Sequence, residues 1–519
     1  MAPSKRFPKS KGRSKALTNP QTSNEYLEAA DELERGGGKW KPGDATKAMR
    51  FYEKALAVYN EGLEKFPKDF DLAYNKAHLQ YFVLTDAKLS PLIGSLLEPL
   101  QEALDSHRYA MRLDETNADI LFNTAQVLTS LAEELGQTEE FDNSSGLAIK
   151  FLQEAIELFE SCSTRQEMEF EEQRGTQQRP EQPEQQPSTD LDESMAEPEA
   201  DDTDEWALIT EPITALTLLE TASATLSALT SLLSLYVTSP PPSFHASSAL
   251  AALSSFGTKI IEEKLPTYLK LVSSLPSPAQ LATDPSPILS LSGSTAQPID
   301  PLVAASQEAT LATALFRAAL ADAEYRLALI DAPAYAARLA TVFASPANAP
   351  PSLLLAHADT LADFSSALRE RDDSDEAAQL AWSSLERADE CLAQAANAGS
   401  VVDVSPPAPA RVYMLRGDIT LARRMLALRD SAAAVLRNSA GTLLGNAGVY
   451  YRGAGKLAEE TEMRQEAECK AWVVATMLGQ GDVPVPSDLD MAMGVMEDMI
   501  DEELIEESVR GTGPIEFEL

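Results

Sequence analysis

The earliest strong pattern in the chain is a helical one, between residues 44 and 66. Its apolar side chains recur three or four positions apart and so share one helix face: Tyr52, Ala55, Leu56, Tyr59 and Leu63. Asp44 suits the N-cap position and Pro67 ends the pattern. This stretch is therefore predicted to be one long helix.

The same spacing, interrupted by Pro and Gly, predicts helices through most of the chain. Their predicted bounds are 71–85, 99–113, 118–135, 145–159, 205–237, 302–331, 334–344, 351–371, 374–398, 410–428, 430–454 and 456–478, with shorter pieces at 246–256 and 257–264. Ala and Leu dominate the apolar residues and aromatic residues make up 6%, which favours helices over sheets. The predicted fold class is all-α.

Several of these helices share a seam of small, large and small residues at offsets of four and three. The seams are Ala55, Tyr59 and Gly62; Ala103, His107 and Ala110; Ala148, Leu152 and Ala155; and Ala381, Leu385 and Ala388. The first helices that follow two of these seams also match each other: 70–77 and 118–125 each contain an aromatic residue, then Asn, then a small residue two positions later. Such helix pairs are typical of tetratricopeptide repeats, which stack into a right-handed superhelical solenoid.

Composition changes divide the chain into segments. The predicted segments are a basic disordered head at 1–23, N-terminal repeats at 24–163, an acidic disordered linker at 164–205, a helical segment at 206–238, a Pro/Ser-rich and partly ordered insertion at 239–301, C-terminal repeats at 302–480 and an acidic amphipathic tail at 481–519. The head is interpreted as a disordered tail or as a nuclear import signal. The linker is either a solvated spacer or a flexible acidic arm that screens a basic protein.

Charge narrows the choice of partner. With 42 Lys and Arg residues against 81 Asp and Glu residues, the net charge is −39. Such a field repels nucleic acid and anionic membrane surfaces, so neither is predicted as a direct partner. It attracts a basic protein and speeds its capture. Solubility is the plain alternative for an acid surplus.

No catalytic or metal chemistry is predicted. The three cysteines and four histidines are far apart and form neither a disulfide framework nor a zinc-ligand spacing. His107 falls in a seam, where a packed histidine is the ordinary explanation. The predicted protein is a non-enzymatic binding protein without a cofactor, in a reducing compartment.

Two sets of residues are predicted to bind the partner. The first lines the inner groove of the N-terminal repeats, where carboxylates alternate with aromatic rings: Asp71, Tyr74, His78, Tyr81, Asp119, Phe122 and Gln126. The second lies in the acidic tail: Asp498, Asp501, Glu502, Glu503, Glu506 and Glu507. The alternatives are that Tyr74 and Phe122 pack between helices, and that the tail is a cap on the last repeat.

The chain also resembles a known family. Its basic head, the repeat at 73–77, the segment 118–133 and the acidic end at 498–507 are similar to those of the fungal assembly chaperones dedicated to large-subunit ribosomal protein L four, an acidic tetratricopeptide family. The resemblance implies capture of newly made L four, shielding of its basic loop in the groove, and delivery from the cytoplasm to the nucleus. A histone chaperone with an acid-interrupted repeat array and a scaffold for neutral proteins are the competing predictions.

Overall fold

The described part of the chain is helical in a computed structural model. It comprises residues 20–137, 144–177, 212–239, 245–273, 300–344, 349–372, 374–398, 403, 405–429, 432, 434–480, 486 and 488–511. Within these ranges there is no β-strand. The all-α prediction is confirmed for them.

Seventeen α-helices follow one another in the described ranges. They are α1 (Ser23–Trp40), α2 (Ala45–Lys65), α3 (Phe70–Thr85), α4 (Leu97–Leu113), α5 (Ala118–Gln137), α6 (Ser144–Gln177), α7 (Ala215–Thr238), α8 (Ala246–Lys259), α9 (Leu265–Ser273), α10 (Pro301–Arg326), α11 (Ala332–Val342), α12 (Pro351–Arg371), α13 (Asp375–Asn397), α14 (Pro409–Ala427), α15 (Ala434–Leu457), α16 (Thr461–Met477) and α17 (Leu489–Asp501). A π-helical turn, Ile260–Lys264, joins α8 to α9. Short 3₁₀ helices occupy Ser90–Leu92 and Glu507–Gly511.

The helices form two compact units. The first comprises Met1–Pro242 and Thr258–Ser277, and the second comprises Ser243–Gly257 and Pro278–Leu519. In the first unit, α1 packs on α2, α3 on α4, α5 on α6, and α7 on α9. In the second unit, α10 packs on α11, α12 on α13, α14 on α15, and α16 on α17. Each unit is thus a succession of helix pairs.

The first helices of successive pairs also contact each other. In the first unit α1 contacts α3, α3 contacts α5, and α5 contacts α7; in the second α10 contacts α12, α12 contacts α14, and α14 contacts α16. Among the described residues, the second helices of neighbouring pairs make at most isolated contacts with one another. Each unit therefore has a wall in which the first helices lie side by side.

The predicted seams are buried where helices meet. Their small and large members in α4, α6 and α13 are at most 1% exposed: Ala103, His107, Ala110, Ala148, Leu152, Ala155, Ala381, Leu385 and Ala388. The structure adds a further seam in α15, formed by Ala447, Tyr451 and Ala454, each 0% exposed. Small side chains at these positions allow two helix axes to approach closely.

Glycine and tyrosine complete the closest approaches. A Cβ atom on Gly37 of α1 would lie 2.7 Å from the ring of Tyr52 in α2, and one on Gly62 of α2 would lie 3.1 Å from Tyr26 in α1. The pair α14 and α15 repeats this exchange, because Gly417 faces the Tyr451 ring and Gly453 faces the Tyr413 ring. Each helix thus supplies both a glycine and a tyrosine to its partner.

The predicted start of the disordered acidic linker, at residue 164, is wrong. Residues 164–177 continue α6 as helix, although the linker was predicted to be disordered from residue 164. The reason is burial: Gln166 is 0% exposed, and its Oε1 accepts a hydrogen bond of 2.8 Å from Thr221 Oγ1 in α7. The next residue, Glu167, pairs with Lys264 Nζ at 2.8 Å. The polar residues pack here because α7 and the π-helical turn supply partners.

The predicted insertion also contains more helix than expected. Residues 246–273 form α8, the π-helical turn and α9 without interruption. The remaining parts of the linker and insertion, at 178–211, 240–244 and 274–299, lie outside the described residues, as do the head at 1–19 and the last tail residues at 512–519.

One described helix bears on the prediction that the protein has no membrane partner. By length and composition, α7 is apolar enough to cross a membrane, but 61% of its most apolar stretch is buried inside the protein. Buried helices of protein cores commonly show this composition.

The glycine–tyrosine contacts make a prediction about stability. We expect Gly417→Ala to lower the free energy of unfolding by roughly 1–3 kcal/mol, because the added methyl group overlaps the buried Tyr451 ring. The matched control is Gly441→Ala in α15, where a Cβ atom meets nothing within 4 Å. That change should raise stability by up to about 1 kcal/mol through helix propensity. Urea denaturation of both variants would measure this, and equal effects would contradict the packing described.

Candidate binding surface

The predicted groove residue Tyr74 is part of the core. It is 4% exposed, and its ring stacks on Phe70 at 5.7 Å and on His78 at 6.2 Å between centroids. Its hydroxyl accepts a hydrogen bond of 3.0 Å from Asn123 Nδ2, which ties α3 to α5. The prediction that its ring faces a partner is therefore corrected. The position is aromatic because it joins two first helices.

Phe122 requires the same correction. It is 3% exposed and packs edge-on against Phe159 of α6, with ring centroids 5.6 Å apart. The alternative stated for both residues, packing between helices, is the one the structure adopts. Neither ring is available for a cation–π contact with a partner.

The other predicted groove residues keep partial exposure. Asp71, His78 and Tyr81 lie on α3, and Asp119 and Gln126 lie on α5, all half-buried. The Tyr81 hydroxyl lies 2.9 Å from Ser130 Oγ in α5, and burial raises the pKa of Tyr81. The two carboxylates thus sit on neighbouring first helices, although their aromatic neighbours are occupied.

His107 behaves as a packed histidine. Its side chain is 0% exposed, and its Nδ1 lies 2.8 Å from the Ala103 carbonyl oxygen, to which it donates. Burial lowers the pKa of His107 to about 4, so the ring is neutral at pH 7.

The predicted tail residues divide into two groups. Asp498, Asp501, Glu502 and Glu507 are exposed. Glu503 and Glu506 instead pair with arginines of first helices in the second unit: Glu503 with Arg369 of α12 at 2.8 Å, and Glu506 with Arg424 of α14 at 2.6 and 2.9 Å. These two carboxylates are therefore occupied within the chain, which corrects their assignment to partner binding.

The structure reveals a further group of carboxylates that the sequence reasoning missed. It follows the first helices of the second unit, with Asp322 on α10, Asp359 and Asp363 on α12, and Asp418 on α14. Loss of solvation raises the pKa of Asp359 to about 6; the charge of Arg411 opposes this rise, and the smaller effect of the Asp418 charge adds to it. Loss of solvation, then the charges of Asp322 and Asp359, raise the pKa of Asp363 to about 6. The charge of one carboxylate thus raises the pKa of another across three helices.

The ends of this group are neutralised by the fold. Arg326 donates to both oxygens of Asp322 at 3.1 and 3.0 Å, and the Tyr335 hydroxyl donates to the same carboxylate at 3.1 Å. Asp418 accepts from the Tyr451 hydroxyl at 2.7 Å and from Lys470 Nζ at 3.0 Å. These two aspartates are structural.

The middle of the group is poorly neutralised. The nearest base to Asp359 is Arg411, whose Nη2 lies 4.0 Å away on a side chain that is 62% exposed. Asp363 is exposed, and no described Lys or Arg nitrogen lies within 4.0 Å of its carboxylate. Because the two aspartates are four residues apart, they share a helix face. An incoming cation would relieve their mutual repulsion. This pair is called the anionic pair below.

The anionic pair could have been suspected from the sequence. The helix at 351–371 was predicted with correct bounds, and two acids one turn apart on it, without a base at either flanking turn, indicate an uncompensated face. The signal was weak because similar acid pairs are common in a chain this acidic.

One cysteine–histidine contact was also unexpected. Cys391 Sγ lies 3.4 Å from His357 Nδ1, and the His357 ring stacks on Phe343 at 4.4 Å. Burial raises the pKa of Cys391 and lowers that of His357 to about 4. Both groups are thus neutral at pH 7, unlike a thiolate–imidazolium nucleophile. Across the described ranges, no group of three or more His, Cys, Asp or Glu side chains is placed to hold a metal ion.

Comparison with known proteins gives one partial relative. No protein-family model matches the chain. The UPF0656 protein C926.02 of Schizosaccharomyces pombe is 38% identical over 121 residues, which is 23% of this chain and 26% of that protein. The chain thus matches about a quarter of this relative's length, and the relative's name describes no activity.

The raised pKa of Asp363 generates a prediction about pH. An acid with a raised pKa holds its proton in the folded state over a range where the unfolded chain has lost it. The folded state therefore loses stability as the pH rises from the ordinary pKa of 3.8 through about 6. We expect Asp363→Asn to raise the melting temperature by roughly 1–2 °C at pH 7.5 and by about half as much near pH 5, where the penalty is only partly developed. The effect is small because solvent screens this exposed group. Asp105→Asn, at an exposed acid on α4, is the control. Calorimetry at both pH values measures the difference, and an equal shift at both would contradict it.

Proposed function

We propose that the chain is a tetratricopeptide-repeat chaperone that binds a highly basic protein, and that the anionic pair of the second unit is part of the binding surface. The repeat assignment is supported by the small–large–small seams, which recur in second helices of both units with the same offsets. In this proposal each unit is a right-handed superhelical solenoid.

The inner face of each solenoid follows from the helix contacts. First helices of successive pairs touch, whereas second helices make at most isolated contacts in the described ranges. A stack that is closer along one side curves toward that side, so the first helices line the concave face. The anionic pair on α12 belongs to this face.

The observation that carries the proposal is the anionic pair, in which Asp363 is exposed and Asp359 is half-buried. Two partly dehydrated carboxylates, four residues apart, lie between aspartates whose bases are already committed to the fold. A Lys- or Arg-rich segment would replace the missing counterions through charge-assisted hydrogen bonds. The net charge of −39 adds long-range attraction for such a segment.

The client that best fits the sequence resemblance is newly made large-subunit ribosomal protein L four. A ribosomal protein without its RNA exposes dense positive charge, which an acidic surface shields until RNA competes for it. The proposed role is capture in the cytoplasm, shielding, and delivery to ribosome assembly in the nucleus.

Purification from cells tests the identity of the client. We expect tagged protein to retain L four as its most abundant partner in a low-salt extract. Histones as the main partner would instead support the histone-chaperone alternative, and neutral proteins would support a scaffold. In the expected case, affinity should fall by roughly tenfold or more between about 0.1 and 0.5 M NaCl, because exposed charge pairs are screened. Affinity that is independent of salt would contradict the electrostatic mechanism.

Charge-neutral variants locate the binding surface. We expect Asp359→Asn/Asp363→Asn to weaken binding of the basic client by about three- to tenfold, because two exposed charge pairs are lost. The matched variant Asp71→Asn/Asp119→Asn removes the same charge from the first unit. Titration calorimetry compares them, with circular dichroism as a folding control. A larger loss for the second variant would place the client on the first unit instead.

Affinity should also depend on pH. Because the pKa values of Asp359 and Asp363 are about 6, both carboxylates are charged at pH 7.5 and largely protonated at pH 5.5. Binding by the unchanged chain should therefore weaken by roughly three- to tenfold over this range. The Asp359→Asn/Asp363→Asn variant should lose most of this dependence; if it kept the full dependence, other groups would be responsible.

A further inference from the structure

The chain after α17 folds back on the second unit. Glu503 has φ of +54°, a left-handed conformation that few non-glycine residues adopt. The backbone N–H groups of Leu504 and Ile505 both donate to the Met499 carbonyl oxygen, at 2.9 and 3.3 Å. The chain thus reverses direction sharply. Residues 502–511 beyond this turn are called the strap.

The strap is held first by apolar contacts. Leu504, Ile505 and Val509 are 6%, 2% and 9% exposed and belong to the core of the second unit. An acidic segment that ended the chain as a solvated tail would expose these side chains. The strap therefore occupies an apolar bed.

Two arginines border this bed. Arg424 of α14 donates through both terminal nitrogens to Glu506, and Arg369 of α12 donates through one nitrogen to Glu503. The arginine side chains are 11% and 12% exposed, and Arg369 Nε has no hydrogen-bond partner among the described residues. The contact at Arg424 is bidentate and is therefore the stronger one.

These contacts have the form of a ligand on a surface. The strap has two apolar side chains, Leu504 and Ile505, between the carboxylates of Glu503 and Glu506. The surface beneath it has an apolar bed with arginines from two neighbouring first helices. We propose that this surface is a binding site for short acidic–apolar segments, that the strap occupies it within the chain, and that the strap opens as a unit. A segment of the same pattern in another protein would compete for the site.

The site differs in chemistry from the anionic pair. It takes carboxylates, whereas the anionic pair takes cations, and it holds its ligand by burial as well as charge. The inference does not depend on the identity of the basic client. The test of the acidic–apolar segment and the test of the basic client can therefore fail independently.

Hydrogen exchange of the full-length chain tests whether the strap opens. We expect the amides of residues 504, 505 and 509 to exchange at least about tenfold faster in Glu503→Gln/Glu506→Gln, while α12 and α14 keep their protection. The control Asp105→Asn/Glu115→Gln removes two exposed charges from the first unit and should leave the strap unchanged. Exchange of the strap together with α14 in every variant would show that it is a fixed part of the core.

Peptide binding tests the site itself. The probe is a fluorescent peptide with the sequence of residues 502–511. It should bind Glu503→Gln/Glu506→Gln at least about tenfold more tightly than the unchanged chain, whose own strap competes. A probe with Gln at both carboxylate positions should bind neither, and Arg424→Lys added to the opened variant should weaken binding by removing the bidentate contact. Failure of the probe to bind the opened variant, or equal binding of the Gln probe, would overturn the proposal.

Discussion

The close approach of paired helices at small side chains is the constraint on which the structure depends. Ala, Gly or an equivalent small residue recurs where a second helix meets its first helix, and a tyrosine often fills the space opposite. The reciprocal exchange of Gly37 and Gly62 with Tyr52 and Tyr26 has its counterpart in the second unit. A larger side chain at such a position would separate the axes, and the next first helix would then lose its place beside the previous one.

This use of tyrosine has an electrostatic consequence. A buried hydroxyl needs a partner, and here that partner is often an acid on the facing helix. Tyr59 donates to Glu34 at 2.6 Å, and Tyr451 donates to Asp418 at 2.7 Å. Part of the acid surplus is therefore structural, and neutralising such an acid would damage packing before it affected binding. The anionic pair is different because it supports no buried hydroxyl in the described residues.

Local patterns explain what the sequence could predict. The bounds of α12 were predicted without error, and most other helices within a few residues, because periodicity, Pro and Gly act over short distances. The extension of α6 to residue 177 could not be predicted, since Gln166 and Glu167 are stabilised by partners about 55 to 100 residues away. The burial of Tyr74 and Phe122 was equally hidden: an aromatic residue on a first helix suits both a groove and a helix contact. The alternation of acids with aromatic rings therefore did not locate an accessible surface.

Several arginines of the second unit form ion pairs within the chain. In the second unit, Arg326, Arg369, Arg416, Arg423 and Arg424 each contact a carboxylate of the same chain. These arginines secure contacts between helices or hold the strap, so they do not offset the remaining exposed acids. Exposed carboxylates that lack a counterion within the chain attract cationic groups of a partner. The attraction is stronger where two such carboxylates lie one helix turn apart. Beneath the strap the charges are reversed, because Arg369 and Arg424 form their ion pairs with carboxylates of the strap. One chain can thus present a site for cations and a site for anions, because the helix pairs fix which charges are internal.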